Sequence, residues 1–219
     1  MPVLADHVQA YLERLRPDRS EVMRDMEAVA ERDDVPIVSW ETGRLLATLV
    51  AALDPQAILE VGTAIGYSTL HMAEQLRSGR LLTLERDPGR IAQARDYFAR
   101  AGVADRIEIV EGDALETIQA LDGPFDFLFL DATKDEYRRY LELAEPKLSD
   151  GATLVVDNLL MSGEVALDPS AETRWRRESL DGARAFNEEL LNGTNWIGSV
   201  LPVGDGVGLA ARGVAFSNS

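Results

Sequence analysis

The chain has 219 residues, with 22 Lys+Arg against 38 Asp+Glu, a formal charge of −16, and 46% hydrophobic residues. That length suits one domain, and the apolar share is ample for a buried core, so a disordered chain is excluded. The absence of cysteine removes disulfides, thiolate zinc sites and cysteine nucleophiles, and the acidity argues against a nucleic-acid partner, which wants a basic face.

The first third reads as helix. Apolar residues recur every three or four positions in Leu4, Val8, Leu12 and Leu15, then in Val22, Met26 and Val29, then in Leu45, Leu46, Leu49 and Leu53. Pro17 and Pro36 separate these segments, each near an expected helix start. No apolar run reaches the ~20 residues of a membrane helix, and MPVLADH has no charged stretch followed by an apolar one, so a cytoplasmic location is expected.

From residue 56 the pattern changes. Short apolar runs, AILEV (57–61), LLTLE (81–85), RIEIV (106–110), FDFLFLD (125–131) and ATLVVDN (152–158), alternate with helical windows at about 66–77, 88–101, 114–121 and 134–147. Strands alternating with helices imply right-handed crossovers and a parallel sheet covered on both faces. A helix at about 172–192 leads to two β-rich runs around Gly204-Asp205-Gly206, a hairpin signal that adds antiparallel strands at one edge. The expected fold is α/β, doubly wound.

In such sheets ligands sit beyond the carboxyl ends of the strands. The first strand runs into Glu60-Val61-Gly62-Thr63-Ala64-Ile65-Gly66, where Gly62 permits a tight turn and Gly66 lets a helix begin close to the strand. Glu85, 23 residues after Gly62, ends the second strand and can accept from both hydroxyls of a ribose. Asp113 ends the third, where it can cap a helix, accept from an adenine amino group, or do both. A dinucleotide and S-adenosylmethionine (SAM) both fit this outline. The glycines are not spaced G-x-G-x-x-G, and Glu60, Glu85, Asp113 and Asp131 surround the expected pocket, which favours a cationic sulfonium over a diphosphate.

The fourth and fifth strands end in Asp131 and in Asp157-Asn158. Two carboxylates and an amide, with no His or Cys, suit a hard cation such as Mg²⁺. Only Lys134 and Lys147 are lysines, and Lys134 lies one helical turn beyond Asp131, where it can serve as a base.

These residues resemble class I SAM-dependent O-methyltransferases of the cation-dependent catechol and caffeoyl-CoA type. The resemblance runs from about Val38 to Arg212 through VSWETGRLL (38–46), EVGTAIGYSTL (60–70), EGDA (111–114), FLDATKDEY (129–137), VVDN (155–158), AFNEEL (185–190) and LPVGDGVGLA (201–210). It implies a seven-stranded Rossmann-like fold. It also implies that Val38, Glu60, Gly62, Ser68, Glu85, Asp113, Ala114 and Asp131 hold the methyl donor, that Asp131, Asp157 and Asn158 bind Mg²⁺ or another divalent cation, and that Lys134 is catalytic. The expected reaction is methyl transfer from SAM to a hydroxyl of a small catechol-like acceptor, in a homodimer. Residues 1–54 are expected to form a helical lid and acceptor wall on a single domain whose donor- and metal-binding core spans 55–219.

Trp40, Met161, Trp175 and Phe186 are either the lining of an aromatic acceptor slot or ordinary core and helix-packing residues, and Arg174-Trp175-Arg176-Arg177 is either a solvated face or a contact for an anionic acceptor tail. Departures from the family pattern fall at Trp40, where Pro is common, at Met161, where Trp is common, and across Gly163–Arg177. A nicotinamide oxidoreductase gives no reason for Asp131, Lys134, Asp157 and Asn158 to cluster. A nucleoside-binding regulator would tolerate their loss.

Overall fold

The computed structural model describes residues 4–168 and 170–213. Its centre is a seven-stranded sheet of β1 (Ala57–Val61), β2 (Arg80–Glu85), β3 (Ile107–Glu111), β4 (Phe125–Leu130), β5 (Leu148–Val156), β6 (Trp196–Leu201) and β7 (Val207–Arg212), in the order β3-β2-β1-β4-β5-β7-β6. The first five strands pair in parallel, whereas β7 runs antiparallel to both β5 and β6. The expected hairpin is present, with its second strand inside the sheet and β6 at the margin. Chain order reverses between β1 and β4, which opens a crevice beyond their carboxyl ends.

Helices α4 (Tyr67–Ala73), α5 (Pro88–Ala101), α6 (Ala114–Ala120), α7 (Tyr137–Ala144) and α8 (Arg177–Asn192) follow the strands. Because successive strand residues point to opposite faces, Ile58, Phe127 and Phe129 enter one apolar layer while Leu59, Val61, Leu128 and Leu130 enter the other. The first layer is closed by α4, α5 and two N-terminal helices, α2 (Glu21–Asp33) and α3 (Trp40–Leu53), and the second by α6, α7 and α8.

Serine caps set the starts of α2 and α3: Ser20 accepts from Met23 N–H at 3.2 Å and Ser39 from Thr42 N–H at 3.1 Å. Pro17 and Pro36 therefore lie in the loops ahead of these caps, not inside the first turns. The proline that does open a helix is Pro88, behind the Asp87 cap of α5.

Helix α1 (Asp6–Arg14) forms where the periodicity places it but buries no residue. Val8, Tyr11 and Leu15 stay exposed, and the helix is tied down through polar contacts, Gln9 to Glu41 at 3.0 Å and Trp40 to Glu13 at 2.8 Å. Amphipathic spacing identified the helix but not its distance from the core. Among the described residues no helix is long and apolar enough to cross a membrane.

Candidate active site

The loop between β1 and α4 is shaped by three residues with positive φ: Gly62 (104°), Ala64 (47°) and Gly66 (90°). A Cβ at Gly62 would strike the Asp131 carbonyl, and one at Gly66 would lie 2.5 Å from the Phe98 ring. Only glycine lets β1 leave the sheet so close to β4 and lets α4 start directly over α5. Ala64 has a side chain and so needs an external hold. Glu85 supplies it: one carboxylate oxygen accepts from Ala64 N–H at 2.8 Å, and the other accepts from Arg86 and Asp87 N–H at 2.9 and 3.0 Å. Asp113 caps α6 by accepting from Leu115 N–H at 2.9 Å.

These strand ends enclose a cavity of about 260 Å³ at the reversal point of the sheet. Val38 covers it from the chain before α3, and Gly62 and Ser68 form the floor. Glu85, Asp113 and Ala114 line the side below β2 and β3, and Asp131 and Lys134 the side beyond β4. Eight residues scattered over almost a hundred positions in sequence thus line one cavity.

Glu60 does not join them. It is fully buried, with its carboxylate under α4 accepting from Ser68 and Thr69 hydroxyls, each at 2.5 Å. Its side chain leaves β1 on the face covered by α4, whereas Gly62 lies past the end of the strand. Burial pushes its pKa up to about 7, against the pull of the two hydroxyls. It holds Ser68, which does line the cavity, from below. The cavity also has cationic walls that its acidic character concealed, because Arg86 and Arg90 line it as well. Tyr140 is a further wall residue missed in the sequence. Its one-turn spacing from Tyr137 was the available signal.

On the far side of the cavity Asp131 and Asp157 follow adjacent strands paired Leu130 to Val156, and Asp157 N–H donates to the Leu130 carbonyl at 3.0 Å. Lys134 Nζ lies 2.9 Å from Asp131 Oδ1 and over the Tyr137 ring. The Tyr137 hydroxyl donates to the Asp157 carbonyl at 3.2 Å. Asp157 is 2% exposed, and its Oδ1 has no hydrogen-bond partner among the described residues. Burial and then the charge of Asp131 hold its pKa well above the usual carboxylate range, opposed by Asn158 N–H and by Lys134. Asn158 follows in left-handed backbone, φ 61°. A buried carboxylate oxygen lacking a donor, next to a second carboxylate and an amide, fits a hard divalent cation. The donor set holds only two carboxylates: among the described residues no group of three or more His, Cys, Asp or Glu is placed to bind a metal.

The expected aromatic slot is not assembled. Met161 is fully buried against Leu180 and Ala183 with Trp175 packed beside it, Phe186 belongs to the layer beneath the sheet, and Trp40 hydrogen-bonds Glu13. Two of the arginines at 174–177 have acidic partners within the chain, Arg174 with Glu164 at 2.9 Å and Arg176 with Asp135 at 3.1 Å. The first pair closes residues 164 and 174 on each other, and the second ties Arg176 to Asp135, next to Lys134.

The sequence profile of the O-methyltransferase family matches residues 14–213, nearly the whole chain. The chain belongs to this family. A catechol O-methyltransferase of Mycobacterium tuberculosis is 41% identical over 130 residues, which span 58% of this chain and 59% of that protein. A caffeoyl-CoA O-methyltransferase of Eucalyptus globulus is 29% identical over 205 residues, covering 90% of this chain and 83% of its own. An O-methyltransferase of Streptomyces achromogenes, solved in complex with SAM, superposes with a TM-score of 0.82 at 30% identity over 95% of this chain and 96% of the other. Members of the family are SAM-dependent methyl-transferring enzymes, and the sheet order and edge hairpin described above are those of a Rossmann-like methyltransferase.

Proposed function

We propose that this O-methyltransferase moves the methyl group of SAM to one hydroxyl of a small aromatic acceptor bearing two adjacent hydroxyls, with a divalent cation held by Asp131, Asp157 and Asn158. The observation that carries this reading is the unpartnered, buried Asp157 oxygen behind Asp131 and Lys134, which line the cavity. When bound, the cation supplies positive charge that acidifies a hydroxyl and orients two neighbouring oxygens.

The remaining work falls to the chain's own side chains. Glu85 presents a carboxylate to the ribose hydroxyls while it holds Ala64. Asp113 and Ala114 face the base, and Ser68, fixed from below by Glu60, faces the methionine end together with Val38 and Gly62. Lys134 Nζ is placed to take the hydroxyl proton. The freed oxygen pair then forms the new C–O bond as the C–S bond of the sulfonium breaks, leaving neutral S-adenosylhomocysteine (SAH). Charge is neutralised as the two reactants meet, so a pocket closed to water favours the step. Orientation of the pair contributes most, up to roughly 7–11 kcal/mol.

The test is methyl transfer from SAM to catechol and its 3,4-dihydroxy derivatives, with Mg²⁺ and again with excess chelator. Turnover abolished by the chelator and restored by Mg²⁺ is expected. Turnover that survives chelation would refute the cation while leaving the methyl transfer, and inactivity on every vicinal diol would refute the acceptor class.

A further inference from the structure

Asn158 stands at the head of a loop with an unusual backbone. Its φ angle is 61°, and those of Met161, Ser162 and Gly163 are 45°, 58° and 84°. Three of these four residues carry side chains, for which the left-handed region is costly, so something outside the loop must hold it.

The hold comes from the 202–206 turn that joins β6 to β7. The Gly206 carbonyl accepts from Leu159 N–H at 2.8 Å and the Asp205 carbonyl from Leu160 N–H at 3.0 Å. The Asp205 carboxylate accepts from both the backbone N–H and the hydroxyl of Ser162, the latter at 2.8 Å. Gly206 packs so tightly that a Cβ there would lie 2.5 Å from Leu160 Cβ. On its other side the same turn meets the start of α3, next to the cavity-lining Val38. A Cβ at Gly204 would lie 2.6 Å from Ser39 Oγ and 2.7 Å from Thr42 Oγ1, the capping pair that starts α3 directly after Val38. One turn therefore abuts both the loop that follows Asn158 and the cap that follows Val38.

We infer that Asp205 is a positioning residue: by clamping residues 159–162 it keeps Asn158 in the left-handed conformation that sets it beside Asp157. This rests on the proposed cation site. Asp205 itself touches neither donor nor cation in this account and acts through Ser162 and Leu160.

The loop keeps other anchors when Asp205 is cut back, because Met161 stays in its apolar pocket and Asn187 donates to the Leu159 carbonyl at 2.9 Å. Asp205→Ala is therefore expected to fold. Calorimetric titration of Mn²⁺ and, separately, of SAH would be run on the native chain and on Asp205→Ala, Asp205→Asn, Asp131→Ala and Asp157→Ala. Partners that orient metal ligands typically alter affinity 10–100-fold. The expected result is Mn²⁺ binding weakened about tenfold or more in Asp205→Ala, largely recovered in Asp205→Asn because its amide oxygen still accepts from Ser162, with SAH affinity within about twofold of native. Faster amide exchange confined to 159–163 should accompany the loss.

Native Mn²⁺ affinity in Asp205→Ala, with affinity lost in Asp131→Ala and Asp157→Ala, would overturn the clamp alone. Equal weakening of Mn²⁺ and SAH would overturn it too, by showing a general disturbance. Mn²⁺ affinity unaffected by Asp131→Ala and Asp157→Ala would overturn the cation site and the clamp with it.

Discussion

Replacing Glu85 by Gln changes one oxygen to an amide nitrogen with almost no change of shape, so its effect isolates what the carboxylate accepts. In the native fold both oxygens take backbone donors: Ala64 N–H on one, and Arg86 and Asp87 N–H on the other. An amide oriented at lowest cost keeps its oxygen toward Arg86 and Asp87 and turns its NH₂ toward Ala64. One enclosed donor then loses its partner, at about 1–3 kcal/mol, and the two surviving bonds lose the charge that strengthened them. A total near 2–4 kcal/mol converts to a melting temperature lower by roughly 5–15 °C for a chain of this size. The orphaned residue is Ala64, whose φ of 47° needs the bond, so the donor loop should loosen first. SAH affinity should fall by about tenfold or more, since each factor of ten is about 1.4 kcal/mol. Thermal melts with and without SAH, together with SAH titration, read both effects. A variant that melts within about 1 °C of native while binding SAH weakly would refute the structural half of the argument, leaving Glu85 as a ribose contact only.

Lys134→Ala should lower kcat by about 10²–10⁴, the range for loss of a general base, with SAH affinity unchanged; native turnover would remove Lys134 from the mechanism. Asp157→Asn should raise the melting temperature of the chelated protein, because it removes a buried carboxylate repelled by Asp131, while abolishing Mn²⁺ binding; a lower melting temperature contradicts the strain. His71 is buried, and desolvation, aided by Arg44 and Arg16, lowers its pKa from 6.5 to about 4. Between those values the unfolded chain binds a proton that the native chain does not, so stability present above pH 6.5 is lost as pH falls toward 4, by about 3 kcal/mol. Urea unfolding at pH 7 and 4.5 should show this loss in the native chain and not in His71→Gln. Glu60 has the opposite sign: its pKa, raised from 4.5 to about 7 by burial, gives stability that is full below pH 4.5 and lost as pH rises through 7. Glu60→Gln should therefore flatten the stability profile between pH 4.5 and 7, and an unchanged slope would show that another group sets it.

The parallel sheet was legible because its strands are continuous apolar runs bounded by turn residues. AILEV matches β1 residue for residue, and the next two differ from β2 and β3 by one position. The strand ends carried the site for the same reason, since Gly62, Glu85, Asp113, Asp131 and Asp157 each follow or close an apolar run. What sequence could not show is which face a residue at a strand end takes. Glu60 and Glu85 look alike as acids near glycine loops, but Glu60 sits one place before Val61 and turns under α4, whereas Glu85 closes β2 at the crevice. The lid region was harder, because α1 and α2 share the same amphipathic period and only α2 reaches the core. Trp40, Met161, Trp175 and Phe186 drew attention as aromatic or flexible side chains, yet such residues fill cores and brace loops more often than they face ligands.

The acids at the carboxyl edge of the sheet show how one fold gathers negative charge without coming apart. Glu60 is met by two hydroxyls, Glu85 by three backbone N–H groups, Asp113 by the helix it caps and Asp131 by Lys134. Each carboxylate carries its own donors, so their mutual repulsion is screened locally and each is fixed in orientation. Asp157 differs: the Asn158 N–H favours its charged form, but one buried oxygen is left with no donor among the described residues. Four of these acids are thus compensated while the fifth is left open on one side, the asymmetry on which the proposed cation site rests. Asp131 stands close enough to share that charge, and its donor is the lysine next to it. Any cation that takes up Asp131 must compete with Lys134 for the same carboxylate oxygen.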